Sequence, residues 1–166
     1  TPAAFCGVYG LKATWGRISE RGAAPLCWSV AHVGPLAATA RDLALGYAAI
    51  AGHDPHDPNS LGQPPVTLDG ALDPSARGLR LGIYEPWFED AEPAVVAACR
   101  AVVDRLVADG AVLVPIEVPD LELCRVAHVI TIASEMATAT AEDQRRHGAD
   151  FGLDVRINLA LARAFT

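Results

Sequence analysis

Imidazole and carboxylate side chains crowd into one short run of the chain. His53, Asp54, His56 and Asp57 fall within five residues, and these are ligand types that transition metals accept. Such a short turn rarely points all of its side chains inward, and Pro55 between them favours an open loop. We therefore expect a solvated loop here and no metal site.

Hydroxyl and thiol side chains are the next candidates for chemistry. Cys6 could supply a thiolate, but no histidine lies near it in sequence and Phe5 is its neighbour, which favours a buried thiol. Ser19 and Ser29 do not lie in a G-x-S-x-G turn, so we interpret both as turn residues.

The first nineteen residues read T-P-A-A-F-C-G-V-Y-G-L-K-A-T-W-G-R-I-S. This run resembles the segment immediately after the nucleophile in the amidase-signature family. There, G-G-S-[IV]-R-x-P-A is followed by two residues, C-G, two more, G-L-K-P-[ST], one more and G-R. Ala13 replaces the usual proline, which loosens one turn. The positions in register are Pro2, Ala3, Cys6, Gly7, Gly10, Leu11, Lys12, Thr14, Gly16 and Arg17.

Later blocks follow in the family's order. Residues 33–42, V-G-P-L-A-A-T-A-R-D, resemble V-G-P-[LM]-A-R-[TS]-V-x-D, with Ala38 where arginine is common. Residues 52–57, G-H-D-P-H-D, resemble G-x-D-x-x-D. Beyond them the resemblance thins to a strand–helix–strand pattern and to Ser134-Glu135 on a long helix.

The resemblance implies hydrolysis of carbon–nitrogen amide bonds by a Ser–cis-Ser–Lys arrangement, in which a neutral lysine deprotonates the bridging serine and that serine activates the nucleophile. By the family pattern the nucleophile comes three residues before Thr1, so we expect no catalytic residue in this chain. The resemblance implies neither a metal nor an organic cofactor. The residues expected to support the active site are Pro2, Cys6, Gly7, Gly10, Lys12 and Arg17. Lys12 lies in the G-L-K turn, not at the catalytic lysine, so we interpret it as structural.

The wall of a substrate pocket has two candidate residues. Trp28 is interpreted as core or pocket wall, with core favoured. Glu135 lies on an otherwise apolar stretch, where it either borders the pocket or pairs with a neighbouring arginine. The sequence leaves both alternatives for Glu135 open.

Composition limits the partners. The formal net charge of −7 argues against nucleic acid, and no apolar run approaches the ~20 residues that span a bilayer. The four cysteines form neither a zinc motif nor a dense disulfide framework, which favours a reducing, cytoplasmic setting. Oligomeric state stays open, with a homodimer as one candidate.

The parent fold is predicted to be α/β, with a mixed sheet covered by helices on both faces, and this chain is expected to supply the middle of it. Residues 1–58 form the segment after the nucleophile, 59–78 a loop, and 79–166 a βαβ unit with further helices, all within one partial amidase-signature domain. Short strands and turns are expected over 1–33, packed by residues such as Phe5 and Tyr9.

Periodicity and capping residues place the longer elements. Helices are predicted from Thr39 to Gly52 with Leu43, Tyr47 and Ile50 buried, and then from Pro93 to Gly110. Further helices are predicted over 120–146 and 154–165. Strands are predicted over 79–84 and 111–118, and they should run parallel because a helix connects them.

These features predict a segment of an amidase that acts on a small-molecule amide and is inactive as this chain alone. An amidotransferase A-subunit, which supplies ammonia to a partner, would carry the same motifs. A non-catalytic module that binds a partner through apolar faces is the alternative from another class.

Overall fold

The computed structural model of the chain describes residues 1–70 and 75–165. The chain divides into two compact units, one formed by Thr1–Leu72 with Cys124–Thr166 and the other by Asp73–Leu123. Helices and two-stranded sheets occur together, so the predicted α/β class is confirmed. The segment boundaries placed after residues 58 and 78 stay a prediction.

The chain begins with a short helix, α1 (Pro2–Cys6), where the sequence pattern predicts only strands and turns. Pro2 fits the first helical turn because its fixed φ suits a helix and its missing N–H needs no partner there. Gly7 ends the helix in the left-handed region, at φ 64°, and its N–H donates to the carbonyls of Ala3 and Ala4. The prediction for this segment was wrong at α1 because five residues show no period.

A small antiparallel sheet follows. Strand β1 (Tyr9–Gly10) pairs with β2 (Leu36–Ala37), and the N–H of Leu11 extends the pairing to the carbonyl of Pro35 at 3.2 Å. The predicted packing is wrong for Phe5 and Tyr9, whose side chains are 89% and 55% exposed.

Helix α2 (Ala40–Ile50) begins at the predicted cap. The hydroxyl of Thr39 accepts from the N–H of Asp42 at 3.0 Å and donates to its carboxylate at 2.8 Å. Leu43 is buried, as predicted, but Ile50 is 44% exposed. The predicted apolar stripe is therefore correct only in part.

The second unit contains the predicted βαβ arrangement. Strand β3 (Arg80–Ile83) is followed by a short helix α3 (Glu85–Phe88), helix α4 (Pro93–Ala108) and strand β4 (Val112–Pro115). The strands β3 and β4 are parallel, with Arg80 opposite Val112 and Ile83 opposite Pro115. This confirms the predicted unit, while α3 was missed.

The helix predicted over 120–146 is two helices. Helix α5 (Leu121–Ala139) stops before Thr140, which occupies the N-cap position of α6 (Ala141–His147) without a side-chain capping hydrogen bond. Helix α7 (Leu153–Ala162) and a 3₁₀ turn, Arg163–Phe165, follow as predicted. Leu159 and Ala162 of α7 are buried. None of the helices that the structure describes is both long and apolar enough to cross a bilayer.

Candidate functional site

Three of the predicted support residues share one cavity of ≈ 380 Å³ in the first unit. Pro2 and Gly10 line it together with Lys12, and Thr1 and Gly34 are also in its wall. We call this space the Thr1 cavity. Gly10 is required there because a Cβ on it would lie 2.6 Å from the Cβ of Ala3.

The other three predicted support residues lie outside this cavity. Gly7 caps α1, whereas Cys6 is exposed, so the prediction of a buried thiol is wrong for Cys6 in this chain. The Nε of Arg17 donates to the hydroxyl of Tyr47 at 3.1 Å, and its carbonyl accepts from the N–H of Gly52 at 3.0 Å. Arg17 therefore fastens the first segment to α2.

Lys12 contacts a histidine that sequence reasoning missed. The Nδ1 of His32 lies 2.9 Å from the carbonyl of Val30, which can only accept, so Nδ1 carries a hydrogen, and Nε2 is the ring nitrogen left for other contacts. The Nζ of Lys12 lies 3.5 Å from that Nε2 and donates to the carbonyl of Ala13 at 3.2 Å. The only sequence signal for His32 was its place directly before the V-G-P block.

A second cavity of ≈ 370 Å³ also has His32 in its lining. We call it the Trp28 cavity. Trp28 lines it and is 46% exposed, so the favoured prediction of a core tryptophan is wrong. Its further lining includes Glu20, Ala23, Pro25, Leu26, Cys27, Ala31, His32, Val33, His56, Asp57, Pro58 and Asn59.

The loop that carries Trp28 is held by two side chains distant in sequence, Glu135, which does not line the cavity, and Asn59, which does. The carboxylate of Glu135 accepts from the N–H of Ser29 at 2.9 Å and from its hydroxyl at 2.5 Å. The side-chain amide of Asn59 donates to the carbonyl of Trp28 at 3.1 Å. The described partner of Glu135 is thus Ser29, and the alternative of an arginine partner is wrong.

Cys27, next to Trp28, is the buried cysteine among the described thiols, with 3% of its surface exposed. Burial raises the pKa of its thiol, and the nearby charges of Glu135 and Glu20 raise it further. Cys27 is therefore a packing residue and not a thiolate nucleophile.

The run from His53 to Asp57 is the predicted solvated loop only in part, because His53, Pro55 and His56 are exposed but Asp57 is buried. Asp57 is only 8% exposed, and its carboxylate accepts from the N–H of Glu20 at 2.7 Å and of Asn59 at 2.9 Å. The hydroxyl of Ser19 lies 2.9 Å from an oxygen of Asp54 and 3.1 Å from one of Asp57. The loop is therefore hydrogen-bonded to Ser19 and Glu20, and Glu20 lines the Trp28 cavity.

These hydrogen bonds decide the ionisation of the two carboxylates. The N–H of Glu20 lowers the pKa of Asp57, as does that of Asn59, and the N–H of His56 lowers the pKa of Asp54. Their oxygens are occupied by donors from the chain itself. Within residues 1–70 and 75–165, no group of three or more His, Cys, Asp or Glu side chains is arranged to hold a metal ion.

The arrangement of strands and helices is that of the amidases. A crystal structure of an amidase matches 99% of this chain and 34% of its own, with a TM-score of 0.76 and 25% identity. A solved vestigial complex that reveals the evolutionary origins of an s-triazine catabolic enzyme matches 97% of this chain and 35% of its own, with a TM-score of 0.81 and 37% identity.

The chain belongs to the amidase family, whose family model matches residues 1–160. The A-subunit of the glutamyl-tRNA(Gln) amidotransferase from Deinococcus radiodurans is 41% identical over 84% of this chain and 29% of its own length. AtzE, the 1-carboxybiuret hydrolase subunit of a Pseudomonas species, is 41% identical over 90% of this chain and 32% of its own length. The chain thus spans about a third of the length of these relatives.

Proposed function

We propose that the whole protein cleaves carbon–nitrogen amide bonds of small molecules by Ser–cis-Ser–Lys catalysis, with all three catalytic residues outside these 166 residues. The match of residues 1–160 to the amidase family carries this proposal. Within it, the nucleophile precedes Thr1 by three residues, in the register set by the first nineteen. The described chain then supplies support and pocket wall, not the reacting groups.

The Thr1 cavity supports this assignment of roles. Pro2, Gly10 and Lys12 surround it, and Thr1 lies in its wall, so a residue just before Thr1 would enter from this side. Lys12 is held by His32 and by a backbone carbonyl, which suits a structural lysine. Cys6, Gly7 and Arg17 support the same segment from outside the cavity.

An amidotransferase A-subunit is the second candidate. The 41% identity to an amidotransferase subunit favours it as strongly as the 41% identity to a hydrolase subunit favours the first. Both relatives are named as subunits, so we propose that the whole protein works in an assembly, either with itself as a homodimer or with another chain. We place it in the cytoplasm because the described cysteines are free thiols.

Labelling with a fluorophosphonate tests the catalytic assignment. The purified whole protein should react at the serine three residues before Thr1, identified by mass spectrometry of the labelled peptide.

An assay of ammonia release tests the activity itself. The whole protein should release ammonia from acetamide, phenylacetamide or glutamine, whereas the 166-residue polypeptide should release none. Amide turnover by the 166-residue polypeptide, or a whole protein inactive on all three amides, contradicts the proposal. Ammonia transfer that depends on a partner chain selects the second candidate.

A further inference from the structure

We propose that the Trp28 cavity binds an uncharged apolar group of the amide substrate, an aromatic ring above all, and that Glu135 is a positioning residue for its wall. This inference rests on the proposed function and adds to it a substrate class and a residue that acts through another.

The size and lining of the cavity suit such a group. Its ≈ 370 Å³ lies within the ~300–1,000 Å³ of small-molecule pockets. Leu26, Trp28 and Val33 contribute large apolar surfaces, and the indole of Trp28 offers a flat face on which a ring can stack.

The charged groups of the cavity disfavour an anionic ligand. Asp57 contributes a carboxylate whose oxygens are already occupied by the N–H groups of Glu20 and Asn59. Burial raises the pKa of Glu20, although His32 partly opposes this, and the charge of Asp57 raises it further. A ligand carboxylate placed beside these two acids would be repelled, so the ligand group facing them is not an anion, and the apolar lining of the cavity favours an uncharged group. Arg21 and His56 also line the cavity, and the charge of Arg21 acts on Asp54.

Glu135 does not line the cavity, so it can affect a bound ligand only through the loop that carries Trp28 and Ser29. Its carboxylate takes both hydrogen bonds of Ser29, the residue after Trp28. Asn59 holds the carbonyl of Trp28 from the other side. Both contacts are made at the peptide group between Trp28 and Ser29, so the backbone directly after the indole is held through its carbonyl and its N–H.

Replacing Glu135 by glutamine tests this role. Glutamine keeps the shape, but one of its oxygens becomes an NH₂ group that cannot accept from Ser29. A carboxylate also accepts more strongly than an amide, so the hold on Ser29 weakens. The loop then loses its fixed position while the reacting groups are untouched.

The experiment compares phenylacetamide with acetamide in the whole protein. We expect Trp28→Ala to raise KM for phenylacetamide about tenfold and Glu135→Gln to raise it roughly three- to tenfold, with kcat within about twofold of wild type. Acetamide, which has no ring, is the reference substrate, and in both variants the loss on phenylacetamide should exceed any loss on acetamide by at least about threefold. Glu142→Gln is the matched control, because Glu142 pairs with Arg145 and Arg146 and lines neither cavity.

A double-mutant cycle with Ser29→Ala separates positioning from general damage. If Glu135 acts through Ser29, the double variant should be no worse on phenylacetamide than Glu135→Gln alone. Equal losses on both amides, additive losses, or no loss on either would overturn the proposal. Thermal midpoints of all variants show whether any loss reflects unfolding.

Tryptophan fluorescence tests whether the Trp28 cavity binds a ligand, and it does so whether or not the protein hydrolyses that ligand. Titration of the wild type with phenylacetamide should give a saturable change that Trp28→Phe abolishes, although two other tryptophans remain. If the wild type hydrolyses no amide but shows this change, the proposed activity fails and the pocket stands. If it hydrolyses amides but shows no saturable change, the pocket fails and the activity stands.

Discussion

Gly10 has no room for a side chain. A Cβ added to it would lie 2.6 Å from the Cβ of Ala3 and 2.9 Å from the Cδ2 of Leu36, so α1 or β2 would have to move. We expect Gly10→Ala to destabilise the whole protein by about 1–3 kcal/mol, the usual range for overpacking. Denaturant unfolding measures this. Gly62→Ala is the control, because a Cβ there meets nothing within 4 Å, and an equal loss in both variants would contradict the assignment.

Asp57 gives stability a defined dependence on pH. Its pKa is lower in the folded chain than in the unfolded one, so its contribution is present above the unfolded pKa of about 3.9 and is lost as pH falls through the folded pKa. Asp57→Asn should therefore lower the thermal midpoint at pH 7 and reduce the further loss of stability as pH falls below about 3.9. Asp104→Asn, an exposed acid on α4, is the control. An unchanged acid dependence in Asp57→Asn would contradict this role.

The site residues show what single residue types can reveal. Motif register found Gly10, where a Cβ has no room, and Lys12, and the Thr1 cavity brings the two together. His32 and Asp57 were missed or misread because their roles depend on partners distant in sequence: Lys12 is 20 residues away from His32, and Glu20 is 37 away from Asp57. The sequence around each of these residues gives no signal of a partner so far away along the chain.

At the scale of elements, Thr39 controls the start of α2. Its hydroxyl accepts from the N–H of Asp42, one of the donors that a helix start leaves without a backbone partner. Thr39→Ala should destabilise the whole protein by about 1 kcal/mol, whereas Thr39→Ser, which keeps the hydroxyl, should be nearly neutral. Denaturant midpoints give the comparison. Equal stability of the two variants would show that the cap contributes nothing.

The elements predicted best are those with strong local signals. Helix α2 has a capping threonine, and α4 has a proline at its start and a helical period. Helices α1 and α3 were missed because five and four residues are too short to show a period. The break between α5 and α6 was missed because threonine at position 140 is an ordinary helix residue in sequence. Its N–H and hydroxyl both donate to the carbonyl of Met136, contacts that threonine also makes inside a continuous helix, so they give no signal of the break.

At the scale of the whole molecule, one apolar face of α7 is exposed to solvent in this chain. On α7, Leu153, Ile157 and Leu161 recur every fourth residue and are 70%, 53% and 62% exposed. Such a stripe normally packs against a partner surface. Since the chain spans about a third of its relatives' length, we propose that another part of the whole protein covers this stripe.

Alanine variants of two leucines of α7, one buried and one exposed, test whether this stripe is covered in the whole protein. Leu159 is 3% exposed, so Leu159→Ala should cost about 2–5 kcal/mol of unfolding free energy whatever else is present. Leu161 is exposed in this chain, and if it stayed so, Leu161→Ala would change stability by no more than about 0.5 kcal/mol. We expect instead a loss of about 2–5 kcal/mol in the whole protein, because a covered leucine leaves a cavity when truncated. A near-neutral Leu161→Ala beside a damaging Leu159→Ala would leave the stripe exposed in the whole protein. It would then favour a module that binds a separate partner there.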